Sequence, residues 1–374
     1  MTNNNETPKT KRPKFKRLIL IAILCVSFLF HVATRLSTSL SNAFNFGFSN
    51  FLRGTLAFIT SFIPISIGET VVIILPIFML VLIVTVLFKR YPDNVSSKIT
   101  YRLSIIAASL YALFCFSFAP AYGSSTADVL FDVSADALSA DELKSAFTIL
   151  AQETSALADR IDYNYGSFSN MNYDLDELAE KLLKAYDSLE DKYPFIGNFK
   201  SRLKPIALSE PMTYTHISGV YTYYTGESNI NTNFPDYTIP FTSAHEMAHQ
   251  RGFARENEAN FVAFLVCLES DDPYIRYSGF LNMLEYVGSP LYSVSPQDYI
   301  DILRSLDIRV RCELVEYSEF FEKYRDSTAS KVSGTINDTY LKSQGVQEGE
   351  KSYGLVVDLA VNYINENYAK EAFN

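Results

Sequence analysis

The sequence predicts a mainly α protein, with transmembrane helices in its first third followed by a soluble α+β domain. Three observations carry that prediction. Leu18–Thr34, Thr70–Phe88 and Leu103–Tyr122 contain no Lys, Arg, Asp or Glu, and each has about the length a helix needs to cross a bilayer. Beyond Ser124 the apolar residues recur mostly at helical spacing. Between Arg202 and Phe241 the chain instead becomes rich in Thr, Tyr and Ile, which predicts a small sheet just before the motif His245-Glu-Met-Ala-His249.

Taken in order, residues 1–17 form a basic arm carrying Lys9, Lys11, Arg12, Lys14, Lys16 and Arg17. The first span, 18–34, has a basic lead but no convincing small-x-small cleavage site after it, and reads as a retained anchor. Residues 54–68 are apolar but short, broken by Pro64 and closed by Glu69, so an interfacial or re-entrant segment is expected there. Lys89, Arg90, Lys98 and Arg102 separate the second span from the third, whereas the connection from Leu36 to Glu69 holds only Arg53. Basic segments stay on the cytoplasmic side. The expected protein is therefore a multi-pass cell-membrane protein, amino terminus cytoplasmic, with a membrane domain over 18–122 and an extracytoplasmic domain over 123–374.

Charge is split along the chain. Residues 1–102 carry 12 Lys/Arg against 3 Asp/Glu, and the remainder carries 20 against 39. An acidic soluble part offers no basic face for nucleic acid, so the lipid bilayer and a peptide or protein substrate are the expected partners. Cys25 and Cys115 fall in spans. Cys267 and Cys312 lie outside them in apolar helical settings, where buried free thiols are expected.

In the soluble part, Ser139-Ala-Asp-Glu142 is a capping box opening a helix to about Asp162. Tyr173–Tyr193 follows as a second helix after a Gly/Asn/Ser loop at 163–172. Short strands are expected within Ile206–Ser209, Met212–Tyr224 and Gly226–Asn233. After the motif, helices are expected at Glu256–Glu269, Tyr274–Tyr286, Pro296–Tyr324, Asp338–Ser343 and Tyr353–Asn367. Arg276-Tyr277 and Tyr340 place polar groups among aromatics and could supply an oxyanion-stabilising group, although structural hydrogen bonds are the expected role for them and for His216.

The motif carries the chemistry. Four apart on a helix, His245 and His249 share one face and can reach a single ion. Glu246 beside them can accept a proton from water held by that ion. Two neutral imidazoles and one carboxylate suit Zn2+ with a fourth position left open. Only His31 and His216 lie outside the pair, so half of the chain's histidines fall inside one five-residue motif. Gly252 allows a turn, after which Glu256 and Glu258 are the candidate third ligands. They lie about 200° apart around a helix at roughly 100° per residue, so one of them faces away. Glu256 and Asn260 are one turn apart, which makes Glu256 the expected ligand, Asn260 its orienting neighbour and Glu258 the alternative.

Glu256-x-x-Ala259-Asn260 resembles the element that supplies the third ligand in gluzincin peptidases. The run from His245 also resembles the metzincin motif, but Arg255 stands where the third histidine would be, and a guanidinium has no free lone pair for zinc. Across most of the chain, several segments resemble the bacterial membrane-protein family of domain-of-unknown-function number 3810. They are Thr225–Asn231, Pro240–Arg255, Glu258–Phe261, Arg276–Gly279, Ile336–Lys342 and Ser352–Gly354. That resemblance implies a membrane-anchored, zincin-like metallopeptidase whose substrate is unassigned. The alternative is a zinc-binding membrane sensor or assembly factor with little turnover, for which a retained Glu246 would have no use. An intramembrane protease is disfavoured because the motif follows the last span by more than a hundred residues and is flanked by Arg251 and Arg255.

Overall fold

From the amino terminus the chain forms α1 (Arg12–Leu36), α2 (Thr38–Ala43), a π-helical segment at Phe44–Ser49, α3 (Asn50–Ser61), α4 (Ile67–Phe88) and α5 (Asp93–Ser117). The computed structural model describes residues 12–88, 93–134, 136–164, 168–325, 327–346 and 356–368. The first part of the basic arm and residues 89–92, with Lys89 and Arg90, lie outside them. Among the described residues three stretches are long and apolar enough to cross a membrane: Arg17–Leu36, Ile67–Thr85 and Lys98–Ser117.

All three are shifted by a few residues from the expected bounds. The third ends at Ser117 because the chain turns at Phe118 and restarts as α6 (Ala119–Gly123), whose first turn holds Pro120. The apolar run 54–68 is not one segment. Most of it belongs to α3, the chain breaks around Pro64, and Ile67 already opens the second span.

The remainder is built from α7 (Ala127–Phe131), α8 (Ala140–Ala158), α9 (Leu175–Lys192), β1 (Leu203–Pro205), α10 (Ser209–Thr213), β2 (Gly219–Thr222) and β3 (Glu227–Ile230). There follow α11 (Thr238–Gln250), α12 (Glu256–Glu269), α13 (Pro273–Val294), α14 (Pro296–Ser305), α15 (Ile308–Glu322), α16 (Thr328–Ser343) and α17 (Val356–Asn367). Local chemistry explains the helix starts. The capping box forms at α8, with Glu142 N–H donating to Ser139 Oγ at 3.2 Å and Ser139 N–H to Glu142 at 2.8 Å. Asp174, Asp272 and Asp307 cap α9, α13 and α15 more simply, each side chain accepting from first-turn N–H groups. Asp307 also divides the expected single helix Pro296–Tyr324 into α14 and α15. The start of the expected helix at Tyr353 lies outside the described residues.

The sheet has the order β1-β3-β2, with β3 parallel to β1 and antiparallel to β2. Ile206–Ser209 is not a strand: Pro205 ends β1, and Pro211 sits in the first turn of α10, where its missing N–H costs nothing. The expected buried state of the soluble thiols holds for Cys267 alone, since Cys312 is exposed on α15; all four cysteines are free.

The membrane-proximal and soluble parts share packing across residue 122. Phe114, Phe118 and Tyr122 form one apolar cluster with Ala254 and Leu341. Glu227 of β3 accepts from the N–H groups of Ile67 (3.2 Å) and Gly68 (2.8 Å), capping α4, while Glu69 accepts from Ala207 and Leu208, each at 2.8 Å. Buried Lys204 donates to the Thr60 carbonyl at 2.7 Å at the end of α3.

Candidate metal centre

The motif helix α11 is buried along its whole length, so nothing on it is a solvated face. Packing against α12, α13 and the sheet fixes its rotation and points His245 and His249 into one cleft. Their rings lie 4.6 Å apart, nearly perpendicular. After α11, Gly252 adopts φ +97°, a left-handed turn that reverses the chain so that α12 brings Glu256 back to the pair. Glu256 Oε2 lies 3.2 Å from His245 Nε2 and 3.4 Å from His249 Nε2.

These spacings fit a metal. Tetrahedral zinc with bonds of about 2.0–2.1 Å places its ligand atoms about 3.3 Å apart. The donor atoms of His245, His249 and Glu256 all lie within 4.8 Å of one another, and the three together could hold a metal ion. His249 Nδ1 is 2.7 Å from the Phe253 carbonyl, which fixes its proton on Nδ1 and leaves Nε2 free as a ligand.

Glu246 stands beside the set, buried, with Oε2 unpartnered among the described residues. Burial pushes its carboxyl up, the two imidazoles and the Tyr221 N–H oppose that shift, and the Glu256 carboxylate adds to it. A carboxylate raised in this way is a stronger base. Gly219 of β2 makes its position possible, because a Cβ there would lie 2.6 Å from Glu246 Oε1. Asn231 N–H donates to Ser218 O at 2.9 Å, so in the antiparallel register the backbone groups of Gly219 and Tyr221 face away from β3. Among the described residues β2 is an edge strand, and that free edge borders the cleft.

Glu258 is placed elsewhere. It accepts from Arg255 Nη1 at 2.7 Å and from Ala127 N–H at 3.3 Å, while Arg255 Nη2 donates to the Tyr122 and Ser124 carbonyls. It ties the end of the membrane part to α12 and does not face the imidazoles. Asn260 lines the cleft, but its amide donates to Tyr286 Oη at 3.2 Å, not to Glu256. Arg276 donates to the Leu268 carbonyl and Tyr277 to buried Glu313, both structural bonds. His216, at φ +59°, bonds the Tyr324 carbonyl at 2.9 Å. Tyr340 lines the cleft and receives a hydrogen bond from Tyr122 at 3.1 Å.

Arg53 has no counterpart among the sequence candidates. It is fully buried, and its guanidinium donates to the carbonyls of Gln250, Arg251, Ser117 and Asn45 and to the Asn45 side chain. It thus clamps the carboxyl end of α11 to the end of α5. The only sequence signal was its solitude, one charge in an otherwise uncharged connection.

Protons compete with metal at this site. Burial opposes a charge on His249, but the Glu256 carboxylate outweighs it and holds the imidazole up at about 9. Glu256 is held far below the usual carboxylate range, its burial outweighed by the two imidazoles. In the metal-free protein this pair stabilises the fold fully between the unfolded pKa values of about 4.3 and 6.5. That stabilisation fades as pH rises through about 9 and His249 discharges, or as pH falls through the depressed range of Glu256. Zinc affinity should therefore climb with pH up to about 9, by nearly one log unit per pH unit for this proton, in chelator-competition titrations. A flat profile between pH 6.5 and 9 would contradict that placement of the proton.

No curated protein and no solved structure matches the chain. A family model does match, over residues 44–361, and covers the second and third apolar stretches and the His245–His249–Glu256 site. The chain belongs to the family described as Protein of unknown function (DUF3810).

Proposed function

We propose that the protein is a membrane-anchored, zinc-dependent peptidase. The observation that carries the reading is the conjunction of three donors within 4.8 Å of one another, the carboxylate 3.2 and 3.4 Å from the two imidazole nitrogens, with a second carboxylate beside them whose Oε2 has no partner among the described residues. A purely structural zinc site has no need of that carboxylate. Gluzincin-type chemistry accounts for it, with His245, His249 and Glu256 holding the ion and Glu246 handling protons.

Bound zinc would supply a Lewis acid that polarises the scissile carbonyl and acidifies water. Glu246 takes the proton from the attacking water and returns it to the leaving amine. The Tyr221 N–H keeps the carboxylate engaged, while buried Oε2 has no partner among the described residues. The outward backbone of Gly219 and the outward carbonyl of Tyr221 offer an extended peptide a strand edge to pair with. The positive-inside rule places the site on the extracytoplasmic side, and so an envelope or surface substrate within reach.

Glu246→Gln tests the reading. It should retain zinc and lose at least about 100-fold in turnover on a peptide library, because the amide is nearly isosteric and cannot take the proton. Equal cleavage by wild type and variant would remove Glu246 from the mechanism. Zinc-loaded wild type that cuts no peptide would favour the sensor or assembly factor instead.

A further inference from the structure

The cleft holding the His245–His249–Glu256 set has a volume of about 1700 Å³ and does not end at the soluble helices. Its wall continues along α5 through Phe118, Phe114, Tyr111, Leu110 and Ala107. Steps of three and four keep these side chains on one helical face. From Phe118 to Ala107 that face descends about 16 Å at ~1.5 Å per residue, roughly half the hydrocarbon core. Ala107, Leu110 and Tyr111 lie within a candidate span, and the other two spans contribute His31 and Val72 to the same cavity. α1 and α5 pack against each other, whereas α4 packs chiefly on β3 and leaves Val72 62 % exposed. The cleft therefore opens sideways, between α4 and the α1–α5 pair, into the leaflet adjoining the soluble domain.

The free edge of β2 runs the same way. The Tyr221 ring packs on Phe118 and the Tyr223 ring, just past β2, on Phe114, each at 5.3 Å, so two residues along the chain match the step from Phe118 back to Phe114 in α5. A peptide paired with β2 at Glu246 is led by Tyr223 toward the spans. Deeper in the cleft, the Tyr111 hydroxyl lies 3.5 Å from His31 Nδ1, and His31 Nε2 is buried without a partner among the described residues. An acyl chain has no use for these polar atoms, whereas a polypeptide backbone entering the leaflet must satisfy its own.

Granted the peptidase reading, we infer that the substrate is a membrane-anchored polypeptide cut close to its anchor. The apolar anchor occupies the opening between α4 and α5, and the juxtamembrane stretch lies extended along β2. The reaction is simple hydrolysis: water adds across the amide, the C–N bond breaks, and a carboxylate and an amine leave, with Glu246 passing the proton.

The test uses the full, zinc-loaded chain in phosphatidylcholine/phosphatidylglycerol vesicles with two peptide pools sharing one randomised extended segment. One pool is water-soluble, and the other is fused to a Leu/Ala transmembrane helix. The anchored pool should be cut at least about tenfold faster, at bonds near the helix. Because anchoring alone raises local concentration, the deciding variants are Ala107→Trp and Val72→Trp, which obstruct the opening from its two sides. Either should retain zinc and lower the anchored-to-soluble ratio by about tenfold or more. Equal cleavage of both pools, or an unchanged ratio in both zinc-loaded variants, would overturn the inference. So would release of fatty acid from the vesicles with both pools intact, which would put a lipid in the cleft. If the zinc-loaded protein cuts neither pool and no lipid, the peptidase reading itself fails and takes this inference with it.

Discussion

Arg53→Met should be among the most damaging single substitutions in the chain. The guanidinium is fully buried and every recorded bond it makes ends on a backbone carbonyl or on Asn45, so truncation strands several buried acceptors together. Each orphaned acceptor costs about 1–3 kcal/mol, and a total of at least about 3 kcal/mol is expected. The damage falls on the turn carrying the Gln250 and Arg251 carbonyls, one residue after His249. Zinc retention should therefore fall along with thermal stability in detergent. Arg53→Lys should recover only part of the loss, because an ammonium cannot span the same fork of acceptors. A methionine variant with unaltered unfolding would mean that Arg53 is a passenger.

Glu256→Ala and Glu258→Ala should separate cleanly, although the residues are only two apart. Loss of Glu256 removes the carboxylate lying 3.2 and 3.4 Å from the imidazole nitrogens. Zinc affinity should fall by more than the 10–100-fold typical of an outer-sphere change. Glu258→Ala should keep its zinc and instead destabilise the fold by about 1–3 kcal/mol, since Arg255 and the Ala127 N–H lose their partner. Burial pushes the Glu258 carboxyl up and Arg255 opposes that shift, as expected for a structural carboxylate held by one cation. The opposite ranking in a zinc-competition titration would transfer the ligand role to Glu258.

Features of one chemical kind with short sequence reach were legible. Uncharged runs located three spans to within a few residues, and the spacing of His245 and His249 located the pair because four positions make one helical turn. The same angular argument separated Glu256 from Glu258. Strand bounds were not legible, since Thr/Tyr/Ile composition says that a surface is pleated but not where Pro205 and Pro211 redirect the chain. Arg53 escaped because its partners are carbonyls up to 198 positions away, and backbone acceptors carry no sequence signature. Neither was the exposure of Cys312 visible, because it depends on which face of α15 meets the core. Distance along the chain also misled about distance in space: more than a hundred residues separate α5 from α11, yet Phe118 packs on His249 with ring centres 6.4 Å apart.

If His245, His249 and Glu256 bind one catalytic zinc, as proposed, elemental analysis should detect it. The full chain, purified without chelators, is measured beside a His245→Ala/His249→Ala double variant that is shown to be folded. About one zinc per wild-type chain and none in the double variant is the expected result. A folded wild-type protein that carries no transition metal and takes up none on addition would contradict the account.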